Sequence, residues 1–302
     1  MAAAAGLGAL AWGAFVERTR FTVREEVLPI LAPGSRPLTI LHLSDLHMAP
    51  WQRGKQEFVR SLARFEPDLV VDTGDNLGHA DGLSGVRRAL DAFHGVPGVF
   101  VHGSNDYHGP VLKNPFGYFT GPSSRRQDAA NLDNAALTAY FERELGWLSL
   151  DNAARALELR GTRVELFGTA DAHRGWDRLD VLPARIEEMR EAADESAGPV
   201  LRLGVTHAPY RRVLDALTTQ GADVIFAGHT HGGQVRIPGL PALVTNCDIP
   251  RRQAQGLSVW RGARRSALLN VSAGLGTSIY APVRFSCPPE AVVLTLVPVG
   301  YP

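Results

Sequence analysis

The chain has 302 residues, which is enough for one large domain or two small ones. Its 31 Lys and Arg residues balance 31 Asp and Glu residues, so the net charge is zero. This balance implies no bulk electrostatic attraction to nucleic acid or to an anionic membrane, and we expect no nucleic-acid partner. The two cysteines, Cys247 and Cys287, leave a disulfide open but match no metal-binding spacing.

The chain begins with an uncharged, apolar segment over residues 2–16. This segment is shorter than the ~20 residues that a membrane-spanning helix needs. We interpret residues 1–16 as a membrane anchor or a signal remnant, with a mobile or docked soluble helix as the alternative. Arg18, Arg20 and Arg24 follow, and they favour a cytoplasmic catalytic domain if the segment spans a membrane.

A lead-in over residues 17–36 contains two short extended pieces, and we expect it to serve as a linker or an added edge strand. The catalytic domain is predicted to cover residues 37–302. No sequence repeat and no second domain with its own core are found in it. Helices and strands both occur along its length, which predicts a two-sheet sandwich flanked by helices. The predicted helices cover residues 51–65, 83–93, 135–148, 182–193 and 211–217. The predicted C-terminal strands cover residues 243–245, 257–260, 267–271 and 291–296, and a hairpin is expected over residues 156–167.

Acidic and histidine side chains follow the first predicted strands. Asp45 and His47 come directly after residues 38–43, and on extended backbone their i, i+2 spacing puts both side chains on one side. A carboxylate and an imidazole placed in this way form half of a divalent-metal site, although both are also common loop residues. Asp75 follows the next strand, residues 69–71, where open α/β sheets place ligand-binding groups. A carboxylate there can bridge two metal ions.

A third predicted strand, residues 99–101, precedes Asn105 and Asp106. An asparagine amide oxygen is a neutral hard ligand, suited to a metal ion that already shares a carboxylate. His79 and His108 lie on nearby loops. Each is a candidate for assisting the leaving group, and a surface histidine is the alternative for each.

The segment over residues 109–135 is rich in Pro, Gly, Ser and Asn. Long loops of this kind are usually functional, so we expect a lid or a substrate-reading element beside the site, with a surface excursion as the alternative. Its aromatic residues Phe116, Tyr118 and Phe119 would favour acyl chains if they flank an apolar trough.

The second half of the chain supplies three histidines at strand ends. His207 follows a predicted strand over residues 201–206, and His229 and His231 follow one over residues 224–227. Asp171 and His173 repeat the i, i+2 spacing, but they exceed what two metal ions need, so we interpret them as near-site or structural residues.

These motifs together provide oxygen and nitrogen ligands and no thiolate, a donor set that suits two hard or borderline divalent ions. Two such ions can clamp the attacking and leaving oxygens of a phosphoryl displacement. The predicted metal ligands are Asp45, His47, Asp75, Asn105, His207, His229 and His231.

The order of the motifs, Asp-x-His, Gly-Asp, an Asn-containing turn, a lone His and Gly-His-x-His, resembles that of the calcineurin-like metallophosphoesterase superfamily. The resemblance implies an α/β fold, a four-layer αββα sandwich of two mixed sheets. It also implies two divalent ions, Mn or else Fe, Zn or Mg, and hydrolysis by a metal-bridging water or hydroxide. The implied assignment is Asp45, His47 and His231 on one metal, Asn105, His207 and His229 on the other, and Asp75 bridging.

Residues 44–47, 228–234 and 288–294 are most similar to the bacterial branch that carries an N-terminal membrane or export segment. That branch includes phosphodiesterases that cleave UDP-2,3-diacylglucosamine at its pyrophosphate. The resemblance implies a phosphodiester or nucleotide-lipid substrate and association with the bacterial cytoplasmic membrane, on a side that stays open. We expect a monomer. A general or cyclic-nucleotide phosphodiesterase, or a non-hydrolytic metal-binding interaction module on the same fold, is the alternative.

One motif departs from the family pattern. The family usually reads Gly-Asn-His-Asp or Gly-Asn-His-Glu, whereas residues 103–106 read Gly-Ser-Asn-Asp. Either Asn105 remains the ligand and Asp106 replaces the histidine, or the register differs by one residue and Ser104 takes the ligand position. We prefer the first alternative because an amide oxygen is a better ligand than a neutral hydroxyl. The role of the missing histidine then falls to another group.

Overall fold

The computed structural model describes residues 2–111, 130–192 and 199–301. Within these residues, twelve strands form two six-stranded sheets. In spatial order, with strands numbered along the chain, the first sheet contains β1 (Thr22–Leu31), β12 (Glu290–Pro298), β2 (Leu38–Leu43), β3 (Leu69–Asp72), β4 (Gly98–Phe100) and β5 (Leu148–Ser149). The second contains β10 (Gly256–Arg261), β11 (Ser266–Val271), β9 (Val224–Ala227), β8 (Val200–Thr206), β7 (Thr162–Thr169) and β6 (Ala153–Leu159).

Helices cover the outer faces of both sheets. The described helices are α1 (Ala2–Phe15), α2 (Arg53–Ser61), α3 (Gly82–Leu90), α4 (Asn134–Ala139), α5 (Leu182–Glu191) and α6 (Arg211–Thr219). Apolar residues of α2, α3 and α4 pack on the first sheet, and those of α5 and α6 pack on the second. The sheets face each other through a third apolar cluster. The predicted four-layer αββα sandwich of two mixed sheets is therefore confirmed.

Side-chain alternation explains why the central strands are apolar along their whole length. In β3, Val70 packs with the outer helices while Val71 packs between the sheets. In β9, Phe226 lies between the sheets and Ile225 lies against the helices. Because successive residues of a strand point to opposite faces, a strand that is covered on both faces must be apolar at every position.

Strand direction brings the ligand motifs to one edge of the sandwich. In the first sheet β2, β3 and β4 are parallel, and in the second sheet β8 and β9 are parallel. Parallel strands present their carboxyl ends at the same edge of a sheet, where open α/β folds bind ligands. Each ligand-bearing turn begins at one of these five ends.

Two predicted elements differ from the structure. The helix expected over residues 135–148 is α4 followed by a single π-helical turn, Tyr140–Glu144, and β5 begins at Leu148. Gly146, with a φ of 73°, ends the helical stretch because left-handed backbone cannot continue it. Residues 243–245 form no strand but lie in a loop that follows the His-x-His turn, where Gly233 approaches the carbonyl of Val244.

The N-terminal residues form α1 and the edge strand β1, which pairs in parallel with β12. No helix in the described parts of the chain is long and apolar enough to cross a membrane. The aromatic residues Phe116, Tyr118 and Phe119, and most of the expected lid, lie outside the described residues. Cys247 and Cys287 are buried free thiols.

Candidate metal centre

The turns that carry the predicted ligands have unusual backbone geometry. Eleven non-glycine residues in the described chain have positive φ, and five of them are predicted metal ligands. These five are Asp45 (φ 49°), His47 (φ 40°), Asp75 (φ 57°), His229 (φ 66°) and His231 (φ 48°). Left-handed backbone costs a non-glycine residue about 1 kcal/mol. Strain that is concentrated in this way is typical of a functional site.

Asp45, His47 and His231 form the first group of converging side chains. Their potential ligand atoms all lie within 4.8 Å of one another. The Nε2 atoms of the two histidines are 3.3 Å apart, and Asp45 Oδ1 lies 3.6 Å from His231 Nε2. One cation between these atoms would contact all three residues, as predicted for the first metal.

A second group consists of Asp45, Asp75 and His207, again with ligand atoms within 4.8 Å of one another. Asp75 Oδ2 lies 3.6 Å from His47 Nε2 and 3.4 Å from His207 Nε2. This oxygen therefore lies between a histidine of the first group and the histidine of the second. The position is the one that a bridging carboxylate requires.

Two buried polar atoms indicate that this donor set fits metal ions. The buried side-chain atoms that make no hydrogen bond in the described structure include Asp45 Oδ1 and His207 Nε2, and the latter lies 3.4 Å from Asp75 Oδ2. His207 Nδ1 lies 2.7 Å from the carbonyl oxygen of Thr73. A carbonyl can only accept, so Nδ1 carries a proton, and Nε2 is the atom through which His207 would bind a metal. Unpaired buried polar atoms are costly, and a cation would satisfy both.

Burial and neighbouring charges set the protonation states of the group. Burial lowers the pKa of His47 to about 4 and that of His231 to about 3, so both are neutral at pH 7 and keep a lone pair for a metal. Burial opposes the ionisation of Asp75, but the nearby His207 and His47 hold its pKa well below the usual value. His207 behaves in the complementary way, because Asp75 raises its pKa well above 6.5 against the effect of burial. Without metal, the protonated Nε2 of His207 and Asp75 Oδ2 form a buried ion pair at 3.4 Å, and a metal ion would take the place of the Nε2 proton.

Asn105 lies against the bridging carboxylate. Its Nδ2 donates to Asp75 Oδ2 at 2.6 Å, and its backbone N–H donates to Asp75 Oδ1 at 2.9 Å. The side chain is thus beside the predicted second metal, and acting as a ligand requires its Oδ1 atom to face the ion.

His229 belongs to neither of the two groups. Its ring lies 5.2 Å from that of His207, and its Nε2 is 3.1 Å from the carbonyl oxygen of Asn246. If Nε2–H donates to this carbonyl, Nδ1 is the atom left to bind a metal.

The surroundings of Asp106 do not fit the prediction that it replaces the missing histidine. Its carboxylate is fully buried and accepts hydrogen bonds from four backbone N–H groups, those of Gly103, Asp75, Asn76 and Leu77. Burial raises its pKa to about 6. A carboxylate held by four backbone donors fixes the turn that carries Asp75, and it has no oxygen left for substrate.

His79 and His108 are the other two candidates for assisting the leaving group, and both contact tryptophan side chains. The ring of His79 packs edge-on against Trp51, and its Nδ1 accepts the N–H of Asp81. The ring of His108 lies 6.3 Å from that of Trp176. No described hydrogen bond joins either histidine to a predicted ligand, so their predicted role stays a prediction.

Glycines let the turns approach one another. A Cβ atom on Gly103 would lie 2.1 Å from Asp75 Oδ1, and a Cβ on Gly228 would lie 1.9 Å from Ser44 Oγ. Any side chain at these two positions would push apart the turns that carry the ligands.

Several residues of the site were not predicted from the sequence. Arg284 is fully buried, donates through its terminal nitrogen to the carbonyls of Ala273 and Gly276 at 2.7 Å, and approaches His231 Nδ1 at 3.5 Å. Lys55 is also buried and donates to the carbonyl of Leu46. A single Arg or Lys far along the chain has no local pattern that marks it. Asp171 and His173 were predicted as near-site or structural residues. The ring of His173 lies 4.5 Å from that of His229, and Asp171 accepts a hydrogen bond from the backbone N–H of His173.

Several known proteins are similar to this chain in sequence or in fold. A Bacillus subtilis (strain 168) protein, the uncharacterized protein YpbG, is 27% identical over 268 residues, 87% of this chain and 82% of YpbG. Two solved structures are similar with a TM-score of 0.44 and cover 80% of this chain: TT1561 of Thermus thermophilus, at 14% identity over 91% of its own chain, and the NAD nucleotidase NadN of Haemophilus influenzae, at 11% over 51%. The model of the calcineurin-like phosphoesterase family matches residues 38–233. Because this match covers well over half of the sequence, the chain belongs to the calcineurin-like phosphoesterase family.

Proposed function

We propose that the protein is a metal-dependent hydrolase that cleaves a phosphodiester or pyrophosphate bond. The observation that carries this proposal is the convergence of five predicted ligands in two overlapping groups, in which Asp45 Oδ1 and His207 Nε2 are buried and make no hydrogen bond. These five ligands are Asp45, His47, Asp75, His207 and His231. Family membership supports the coarser reaction class, hydrolysis of a phosphoester.

Two bound divalent ions, for which we propose Mn²⁺, would supply the positive charge that polarises phosphoryl oxygens and activates water. The residues of the chain orient and pair the donors. The carbonyl oxygen of Thr73 holds a proton on His207 Nδ1. The Asp106 carboxylate accepts from four backbone N–H groups and so fixes the turn that carries Asp75. The hydroxyl of Ser44 donates to Asp45 Oδ2, which leaves Oδ1 available. These contacts hold the donor atoms in place before substrate arrives.

For the substrate class we propose a nucleotide-linked lipid or another envelope compound. The uncharged segment over residues 2–16 and the similarity of the motifs to the UDP-2,3-diacylglucosamine pyrophosphatase branch support it. The same support extends to a location at the bacterial cytoplasmic membrane. A general or cyclic-nucleotide phosphodiesterase is the second candidate, since the missing histidine of the Asn motif matters less for a good leaving group.

The test is hydrolysis of bis-p-nitrophenyl phosphate by the full chain, metal-free and after reconstitution with Mn²⁺. We expect turnover only with metal, loss of turnover in Asp75→Asn, and normal turnover in Asp180→Asn, an exposed carboxylate that pairs with Arg178. Metal content is measured on all three proteins. Wild-type protein that binds two ions and hydrolyses neither this diester nor a nucleotide-lipid pyrophosphate would support the non-hydrolytic alternative, and protein that binds no metal would refute the proposal.

A further inference from the structure

Three segments beside the metal centre expose large apolar side chains. The first is the end of α1 with the residue after it, the second is the loop after His231, and the third is the loop before Arg284. Their exposed fractions range from 41% to 77%. The residues are Leu10, Trp12, Phe15 and Val16 on the first segment, Val235, Ile237 and Leu240 on the second, and Tyr280 on the third.

Named contacts join these segments into one surface. The backbone N–H of Arg284 donates to the carbonyl of Gly13 in α1 at 3.1 Å. A Cβ atom on Gly13 would lie 2.6 Å from the carbonyl oxygen of Arg284, so the helix and the third segment touch directly. Gln234 joins the other two segments, because its Nε2 donates to the carbonyls of Ala281 and Val283 at 2.8 and 2.9 Å.

The surface borders the metal centre on the side of His231. Its second segment begins four residues after this ligand, and Arg236 in that segment donates to the carbonyl of Gly232. In the third segment, the buried guanidinium of Arg284 approaches His231 Nδ1 at 3.5 Å. A partner seated on the surface therefore lies next to the first metal group.

The charged side chains within the three stretches of the sequence that carry these segments are basic. Residues 2–16, 231–247 and 272–289 contain no Asp or Glu. In the sequence, Arg18 and Arg20 follow Val16 within four residues, and Arg236 lies between Val235 and Ile237. The nearby Glu17 is buried, where it accepts hydrogen bonds from Trp12 Nε1 and the backbone N–H of Cys287. An apolar face with a rim of arginines is complementary to the interface of an anionic bilayer, which offers acyl chains below negatively charged headgroups.

We propose that this surface, formed by α1 and by the loops that carry residues 235–240 and 280, docks onto the interface of an anionic lipid bilayer. The mode is interfacial, with the apolar side chains inserted at the level of the headgroups. Docking does not depend on hydrolysis. The corollary that a lipid-linked phosphodiester reaches the metal centre directly from the bilayer rests on the proposed function.

The test is co-sedimentation of the full, metal-loaded chain with phosphatidylcholine vesicles, with and without phosphatidylglycerol. Two double variants break the surface, Leu10→Asp with Phe15→Asp on α1 and Ile237→Asp with Leu240→Asp on the loop. The matched control is Val259→Asp with Val299→Asp. These exposed valines lie on β10 and directly after β12, outside the three segments. We expect each surface variant to lower the partition coefficient about tenfold or more, and the control to stay within about twofold of wild type. Wild-type binding should also weaken without phosphatidylglycerol.

Four results would overturn the proposal. In the first, the wild-type protein does not bind vesicles, and in the second, the loop variant binds them as well as wild type does. In the third, the control variant loses as much binding as the surface variants. In the fourth, the wild-type protein does not bind vesicles but forms a concentration-dependent dimer that the loop variant does not form. Diester hydrolysis is measured on the same samples in solution. Vesicle binding without hydrolysis would refute the proposed function and keep the surface, whereas hydrolysis without vesicle binding would do the reverse.

Discussion

The space between the two sheets and the edge where their strands end are only a few residues apart along each strand. Between the sheets, Leu166, Leu203 and Phe226 are fully buried in contact with other apolar side chains. At the edge, the converging side chains are carboxylates and imidazoles, the backbone is left-handed at five predicted ligands, and two of the ligand atoms make no described hydrogen bond. Apolar burial in the interior stabilises the fold, whereas the strained backbone and buried polar atoms at the edge destabilise it and hold the ligand atoms in place.

This difference means that stability and activity should respond separately to mutation at the two places. A substitution in the interior should change the free energy of unfolding without changing the chemistry. A substitution of a predicted ligand should lower the activity of the metal-loaded protein without lowering the free energy of unfolding of the metal-free protein.

The largest expected effect is the loss of activity in His231→Asn. The change removes a predicted ligand but keeps a residue that tolerates left-handed backbone, so the turn should persist. We expect kcat/KM for diester hydrolysis to fall about 10³-fold, which is about 4 kcal/mol in transition-state stabilisation. The free energy of unfolding in the presence of chelator should stay constant or rise. His94→Asn, at a half-exposed surface histidine, is the control, and a metal-free protein that is clearly destabilised would contradict the comparison.

The opposite case is Leu166→Ala, in β7 between the sheets. Removing a fully buried leucine loses its transfer free energy and leaves a cavity, so we expect a loss of about 3 kcal/mol in the free energy of unfolding. Urea denaturation measures this loss. Hydrolysis per folded molecule should not change, and a fall in kcat would show that the interior and the edge are coupled.

The third prediction concerns Asp72, a buried carboxylate at the end of β3 that is not a predicted ligand. Burial raises its pKa to about 7 from 3.8, so its contribution to stability is greatest below pH 3.8 and is lost as the pH rises through 7. Asp72→Asn keeps the acceptor for Gly74 N–H and cannot ionise. Between pH 5 and pH 8 we expect the variant to gain about 2 kcal/mol of stability relative to wild type. Paired thermal melts in chelator across this range measure the gain, and a constant difference would refute the raised pKa.

The smallest expected effect distinguishes the two registers of the Asn motif. Asn105 touches Asp75, whereas no described hydrogen bond joins the Ser104 hydroxyl to a predicted ligand. We therefore expect Ser104→Ala to lower kcat by less than about threefold, under 1 kcal/mol, and Asn105→Ala to lower it far more. Metal content is measured beside the rate. The reverse order would place Ser104 at the ligand position.

The sequence was sufficient for the parts of the site that depend on local pattern. The convergence of Asp45, Asp75, His207 and His231 could be predicted because each lies within four residues of the end of an apolar strand, and strand ends on one edge of a sheet meet. The sandwich followed from the same strands and the helices between them.

What the sequence did not reveal depends on contacts between distant segments. Asp106 looked like a chemical group, and only the fold shows that four backbone donors surround it. Arg284 and Asn246 reach the histidines from loops with no motif of their own. The strand expected over residues 243–245 was wrong because a short β-branched and apolar stretch, Leu-Val-Thr, can equally line a loop beside a glycine turn.

The position of β12 has a consequence for the order of events during synthesis. This strand lies between β1 and β2 in the first sheet, although almost the whole chain separates it from them. As the protein leaves the ribosome, β1 has no described neighbour to pair with until β12 emerges. Sheet closure is thus a late, long-range step, and the exposed edges of β1 and β2 are where a nascent chain would need protection from aggregation.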